Sequence, residues 1–250
     1  MKLITWNVNG IRARHAQLQD LIAAEQPDVV CLQEIKAAPD QIPALIAAPE
    51  GYWCYWHGSG GYSGVALLVR TALCGDRPAF THPSFDVETR IVVADLGDVR
   101  VASVYVPNGG KDYDAKLRFL TALKAWASET NMSGQALLVC GDLNVALEER
   151  DVHPKERKPN QVGTRPDERA LLSEVIAAGA GFVDVGRALD PDNDQLFTWW
   201  APWRNLRQRN IGWRIDYVLA SAAYGKRAVR AASLREFGTS DHAPVVADFE

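Results

Sequence analysis

The chain has 250 residues, 47% of them hydrophobic and 23% charged, an ordinary balance for a globular protein with room for a large core. A net charge of −4 argues against a protein that coats nucleic acid over its whole surface, yet it allows a localised basic face. The start MKLITWNVNG lacks the apolar stretch of a signal peptide, and no later run approaches the ~18 apolar residues of a membrane span, so no membrane partner is expected.

Leu3 to Val8 predicts a first strand running into Asn7-Val8-Asn9-Gly10. Leu18, Leu21 and Ile22 recur at helical spacing between His15 and Gln26, and Pro27 stops that helix. Asp28 to Glu34 predicts a buried strand that ends in Gln33 and Glu34, and residues 39–50 a short helix opened by Pro and Asp. Strands at Tyr52–His57 and Gly64–Arg70 flank the glycine-rich GSGGYSG. Arg90–Leu96 and Val99–Val106 form a hairpin around Gly97-Asp98, leading into Tyr105, Pro107, Asn108 and two glycines. Ala115 to Glu129 carries Leu117, Leu120, Leu123 and Trp126 along one helical stripe. The apolar run Leu137–Cys140 then stops at Gly141-Asp142-Leu143-Asn144, the pattern of a strand buried on both faces with polar groups at its carboxyl end. Residues 148–165 are polar and aperiodic, a long surface loop of a kind that is often functional. A helix at Pro166–Ala178 and strands at Trp213–Ala220, Ala228–Leu234 and Val245–Phe249 follow, the last preceded by Ser240-Asp241-His242. Neither linker nor repeat interrupts this order. One α/β domain over residues 1–250, two packed sheets with helices outside, is the expectation.

Cys31, Cys54, Cys74 and Cys140 form no CxxC pair and sit in apolar surroundings. They read as buried thiols of a reducing compartment, most simply the cytoplasm, and do not support a zinc site.

The polar strand ends supply Asn7, Asn9, Glu34, Tyr105, Asn108, Asp142, Asn144, Asp216, Asp241 and His242. In open α/β sheets ligands sit at such ends, and oxygen-rich donors without thiolates suit a hard cation, Mg²⁺ or Mn²⁺. Asp142 and Asn144 project to one side if the backbone stays extended; a turn is the competing reading, because Asp and Asn bond their own backbone there. Asp216, in the apolar run RIDYVLA, needs a buried partner, either a histidine that it orients or an arginine such as Arg214. A second signal is residues 197–215, with Trp199, Trp200, Trp203 and Trp213 among Arg204, Arg207, Arg209 and Arg214 and no acid. Arginines neutralise phosphates and aromatic faces stack on bases, while an exposed wedge favours kinked DNA; Trp200 reads as core and Trp203 as exposed. Lys155, Arg157 and Lys158 add a possible backbone contact within a run of mixed charge.

WNVNGIRA, LQEIK, GYSGVALL, ETRIVVA, YVPNGG, CGDLNVA, NIGWRIDY and SDHAP, in this order across residues 6–244, resemble the exonuclease III-type apurinic/apyrimidinic endonucleases of the endonuclease/exonuclease/phosphatase superfamily. The resemblance implies a four-layered α/β sandwich, DNase I-like, that acts with a divalent metal on duplex DNA bearing abasic sites or blocked 3′ ends. The implied reaction is hydrolysis of the phosphodiester 5′ to the abasic site, leaving a 3′-hydroxyl, with 3′→5′ exonuclease and 3′-end-cleaning activity beside it. Carried over, Glu34 is the principal metal ligand, supported by Asn7, Asn9 and Asp241. Asp142 positions or deprotonates the attacking water, Asn144 holds a non-bridging oxygen, and His242, oriented by Asp216, contacts the scissile phosphate. Tyr105 binds or protonates near the phosphate, and the identity of the general base stays open.

Trp199, Trp213 and Ile215 fall where that family forms the pocket for a flipped-out abasic sugar, and Arg90, Asn108, Lys111 and Asn160 where it contacts DNA. Two departures stand out. Asn9 replaces the Asp ligand of some members, implying weaker metal affinity or more reliance on Glu34, and Trp203 with Lys111 replaces other side chains that wedge into the duplex. A phosphatase on the same fold needs the same acids but not the Trp- and Arg-rich stretch. A non-catalytic binder of damaged DNA is the alternative from another class, and a monomer is expected.

Overall fold

A computed structural model describes residues 1–177 and 181–250. Twelve strands among the described residues build two six-stranded sheets. The first contains β1 (Lys2–Asn7), β2 (Val29–Gln33), β3 (Tyr52–His57), β4 (Val65–Arg70), β11 (Ala228–Ser233) and β12 (Val245–Phe249), in the order β11-β12-β1-β2-β4-β3. The second contains β5 (Ala79–Thr81), β6 (Ile91–Asp95), β7 (Val99–Tyr105), β8 (Ala136–Asp142), β9 (Phe182–Asp184) and β10 (Asp216–Ser221), in the order β5-β6-β7-β8-β10-β9.

Each sheet has one parallel pair at its centre, β1 with β2 and β7 with β8. A parallel pair needs a crossover, supplied by the helices Ile11–Glu25 and Tyr113–Met132. Between the sheets, Val29, Cys31, Leu67 and Val69 pack on Val92, Val101, Leu138 and Val218. On the outer faces Leu18 and Leu21 cover Ile4 and Val30, while Phe119, Leu120, Leu172 and Val175 cover the second sheet. The result is the four-layered α/β sandwich. Helix, sheet, sheet and helix each bury one apolar side.

The register of the second sheet sets the site. Tyr105 pairs with Asp142, and Asp142 with Asp216, so three candidate site residues lie in one row across β7, β8 and β10. Gly141 permits this row, because a Cβ at its φ of +146° would lie 1.9 Å from the Val104 carbonyl oxygen.

Several boundaries depart from expectation. The first helix starts at Ile11 rather than His15, since Ile11 is itself buried against the first sheet. The expected Trp213–Ala220 strand begins only at Asp216, because Trp213 bridges to Trp199 and Val152 outside the sheet. β5, β9 and the helix Val185–Leu189 were invisible as periodic runs, being three to five residues long. The helix Pro166–Ala177 matches its prediction, whose last residue, Ala178, lies outside the described residues. The loop 148–165 contains two short 3₁₀ turns. Cys31 and Cys140 are buried, but Cys54 and Cys74 are only half-buried. No helix among the described residues is long and apolar enough to cross a membrane.

Candidate active site

At the carboxyl ends of the central strands, side chains from both sheets meet. Asn7, at the end of β1, donates its amide Nδ2–H groups to Glu34 Oε1 and Asp142 Oδ2, both at 2.9 Å, and so ties the two sheets together. Glu34 follows β2 with φ +49°, a left-handed conformation that costs a non-glycine residue energy and is typical of functional positions. Lys36 Nζ stands 2.7 Å from Glu34 Oε2 and 2.6 Å from Asn9 Oδ1. Burial would raise the Glu34 pKa, but the bonds from Asn7 and Lys36 outweigh it and hold the carboxyl below its ordinary range.

Asp142 is fully buried beside Asp216 and Glu34, and burial pushes its pKa up to about 8 although the His242 charge opposes this. His242 Nδ1 lies 2.9 Å from Asp216 Oδ2, and its Nε2 lies 3.8 Å from Asp142 Oδ2. Burial alone would lower the imidazole pKa; the Asp216 and Asp142 charges carry it instead to about 10. Asp216 therefore pairs with the histidine, not with Arg214, whose guanidinium is buried against Asp151 and Asp184. Tyr105 is pushed well above its ordinary pKa by burial and by the carboxylates of Glu34 and Asp142. It is a phenol that keeps its proton.

Asn144 departs from the extended geometry. Its φ is +53°, its backbone N–H donates to Asp142 Oδ1 at 2.9 Å, and its Nδ2 donates to Asp142 Oδ2 at 3.2 Å. The turn reading and the functional reading coincide, because the turn brings the amide back onto the carboxylate.

Thr198 was missed. Its hydroxyl donates to Asp216 Oδ2 at 2.6 Å and accepts the N–H groups of Ile215 and Asp216, fixing the carboxylate that faces His242. The signal lay in FTWW, a lone hydroxyl inside an apolar run, where a buried polar group needs partners. Lys36, in LQEIK, is a further residue that the sequence reading does not single out: it is the cation that reaches Glu34. Asn9 and Asp241, expected beside Glu34, bond to each other at 2.8 Å, and Trp199 Nε1–H donates to Asp241 at 2.9 Å.

Beside these groups lies a cleft of about 360 Å³, lined by Trp199, Trp213 and Ile215 together with Glu34, Asp142 and His242. Trp199 and Trp213 meet edge to face at 6.0 Å. Gly163 gives the indole room, since a Cβ there would lie 2.9 Å from the Trp213 ring. Asn108, Tyr105 and Asn144 also line the cleft. A larger depression of about 840 Å³, between Phe197, Phe237 and β11, contains none of the predicted residues.

The predicted DNA-contacting residues divide. Trp203 is 58% exposed, and Lys111 and Asn160 are exposed near the cleft, next to its lining residues Gly110 and Gln161. Arg90 is different: only 1% exposed, it bonds Glu88 and the Tyr62 hydroxyl and stacks 4.8 Å from the Tyr105 ring. It supports Tyr105 from behind. Of the four arginines in residues 197–215, Arg204 and Arg209 are exposed. Arg207 is spent on the carbonyls of Arg235, Phe237 and Ser240, and Arg214 on its buried carboxylates, so neither is a free phosphate contact.

The model of the Endonuclease/Exonuclease/phosphatase family matches residues 4–242. The chain is 33% identical to an exodeoxyribonuclease of Bacillus subtilis over 252 residues, covering 98% of each chain. It is 32% identical over its whole length to Recombination repair protein 1 of Drosophila melanogaster, of which it spans 37%. Among solved structures it resembles a 3′-5′ exonuclease of Neisseria meningitidis, with TM-score 0.90, 30% identity and complete coverage of both chains. It also resembles an AP endonuclease of Archaeoglobus fulgidus, with TM-score 0.87, 28% identity and coverage of 100% and 99%.

Proposed function

This chain belongs to the Endonuclease/Exonuclease/phosphatase family, and from that premise we propose that it is a DNA-repair nuclease that hydrolyses the phosphodiester 5′ to abasic sites in duplex DNA. The product is a 3′-hydroxyl, and trimming of 3′ ends uses the same groups. The observation that carries this reading is the meeting of Asn7, Glu34, Asp142, Asn144 and the Asp216–His242 pair beside a cleft walled by Trp199, Trp213 and Ile215.

The donor set fits a divalent cation. Glu34 and Asp142 offer carboxylate oxygens within 4.8 Å of one another, and the raised pKa of Asp142 reflects negative charge that burial leaves poorly neutralised. Glu34 would hold the ion, with Asn7 adjoining and Asn9 and Asp241 in support; Mg²⁺ or Mn²⁺ suits these oxygens. When bound, the ion supplies Lewis-acid stabilisation of charge on the phosphate oxygens. Asp142 orients the attacking water and takes its proton, its pKa lying close to working pH. Asn144 and the His242 imidazolium donate toward phosphate oxygens as charge develops. Tyr105 and His242 are the proton-bearing groups near the leaving oxygen. The aromatic lining of the cleft selects a nucleotide without a base, which costs little to extrude. Exposed Trp203, Arg204 and Arg209 favour DNA over a small phosphate ester, which would not use them.

The test is a labelled duplex with one abasic-site analogue, incubated with the protein and Mg²⁺ and then with EDTA. Cleavage 5′ to the lesion is expected with Mg²⁺ only, with the intact duplex spared and with Glu34→Gln at least about 10²-fold slower. Binding without cleavage would favour the non-catalytic reading, and neither would direct attention to small phosphate esters.

A further inference from the structure

Away from the nuclease centre, a second group of potential metal ligands gathers where the two sheets meet at one edge. β3 is the edge strand of the first sheet and β5 of the second. His57 ends β3, His82 directly follows β5, and Asp86 lies four residues further on. Each offers one ligand atom within 4.8 Å of the other two. His57 Nε2 is 2.6 Å from Asp86 Oδ2, and His82 Nδ1 is 3.9 Å from the same oxygen. These separations bracket the about 3.3 Å expected between ligand atoms around a tetrahedral ion with bonds of about 2.0–2.1 Å.

We propose that His57, His82 and Asp86 form a second cation site, for a borderline divalent ion of the Zn²⁺ type, which clips the two sheet edges together. Two imidazoles and one carboxylate suit Zn²⁺ better than Mg²⁺, which prefers oxygen alone. The surroundings hold two of the three ligands, Asp86 and His82. Asp86 Oδ1 accepts the backbone N–H groups of Arg90 and Ile91, at 2.8 and 3.1 Å, so that Oδ2 turns to the histidines. His82 Nε2 lies 3.0 Å from the Tyr55 hydroxyl, and Tyr55 is itself stacked on Phe80. His82 Nδ1 faces the Ile91 carbonyl at 3.0 Å. With the ring proton moved to Nε2, where it is donated to the Tyr55 oxygen, Nδ1 becomes a ligand once the ring swings from the Ile91 carbonyl toward Asp86, exchanging that hydrogen bond for the ion. His57 would bind through Nε2, the nitrogen that already faces Asp86. Such hydrogen-bonded partners set tautomer and direction at histidine metal sites. The side chains of His57 and His82 are 21% and 26% exposed, which leaves an approach for the ion and a position for water.

The location gives the clip a consequence. It would pin the segment from Asp86 to Arg90, where Glu88 and Thr89 both carry φ of +56°, a costly conformation for a β-branched threonine. Arg90 is the residue that backs Tyr105.

The experiment uses the full chain carrying Glu34→Gln, which weakens the nuclease centre as a competing metal site. Zn²⁺ and Co²⁺ are titrated in excess Mg²⁺, with bound metal counted by elemental analysis and Co²⁺ followed by its visible absorption. One Zn²⁺ per chain, retained against Mg²⁺, and a nitrogen-containing tetrahedral or five-coordinate Co²⁺ spectrum are expected. Adding His57→Gln or Asp86→Asn should weaken this binding more than about 100-fold, and Tyr55→Phe about 10-fold, as loss of a ligand outweighs loss of an outer partner. Circular dichroism establishes that each variant is folded, and Asp86→Asn retains the oxygen that caps Arg90. Zn²⁺ affinity unchanged by both ligand substitutions, or no stoichiometric binding by the Glu34→Gln protein, would overturn the proposal.

Discussion

The proton-accepting role proposed for Asp142 sets function against stability, because the carboxyl lies fully buried among like charges. Its pKa rises from an ordinary 3.8 to about 8 in the folded chain, so the folded state favours the protonated form. Ionisation therefore costs stability progressively as pH rises from about 4 to about 8, by an amount on the order of a few kcal/mol. His242 has the same sign for a different reason. Its pairing with Asp216 stabilises the fold fully below its ordinary pKa of 6.5, and that contribution fades as pH rises through about 10. Asp142→Asn removes the first cost but keeps the Asn7 and Asn144 neighbours. In EDTA, this variant should melt higher than the parent at pH 8, with the gap closing toward pH 4, and incision should fall at least about 10²-fold. A series of melts across that range checks it; a variant that melts lower at pH 8 would show that the carboxylate is stabilised in place.

Two helices hold the site loops through one buried ion pair. Lys116, on Tyr113–Met132, and Glu168, on Pro166–Ala177, are both fully buried and bonded to each other. Lys116 also donates to the Asn144 carbonyl at 2.7 Å, while Glu168 accepts the N–H groups of Gly163 and Arg165 at 2.6 and 2.9 Å. Lys116→Met would strand a buried carboxylate, at a cost of about 3–5 kcal/mol. Adding Glu168→Leu should recover much of that stability in denaturant melts but not the incision rate, because the Asn144 and Gly163 loops lose their tethers. Recovery of both would mean that the pair serves stability alone. Nothing in the sequence pointed to this pairing, since 52 positions separate the two residues and each reads as the solvated face of a helix. What was legible follows from burial. Short apolar runs that end abruptly in Asn, Glu or Asp identified β1, β2 and β8 together with the side chains at their ends. Three-residue strands carry too few alternations to be seen, and Thr198, Lys36 and the Asn144 turn depend on partners that only tertiary packing brings near.

For the whole molecule, a net charge of −4 and an acidic centre mean that attraction to DNA has to come from local features around the cleft. Charges further apart than a Debye length, about 10 Å at 0.1 M salt, are largely screened, so nearby cations act with little opposition from distant acids. Exposed Arg204 and Arg209 stand in the same segment as exposed Trp203, and Lys111 follows Gly110 at the cleft. These residues divide the work in a way that salt titration resolves. If each arginine neutralises one phosphate, Arg204→Gln and Arg209→Gln should each reduce the slope of log K against log salt by about 0.9, on intact and abasic duplexes alike. Trp203 carries no charge, so Trp203→Ala should leave the slope unchanged. A wedge gains most where the duplex already lacks a base, since stacking lost to the kink is then smallest. Trp203→Ala should therefore weaken binding to abasic duplex more than to intact duplex, by about 1–3 kcal/mol if the indole stacks on a base. An equal loss on both duplexes would assign Trp203 to general contact, and lesion selection would then rest on the Trp199–Trp213 lining of the cleft.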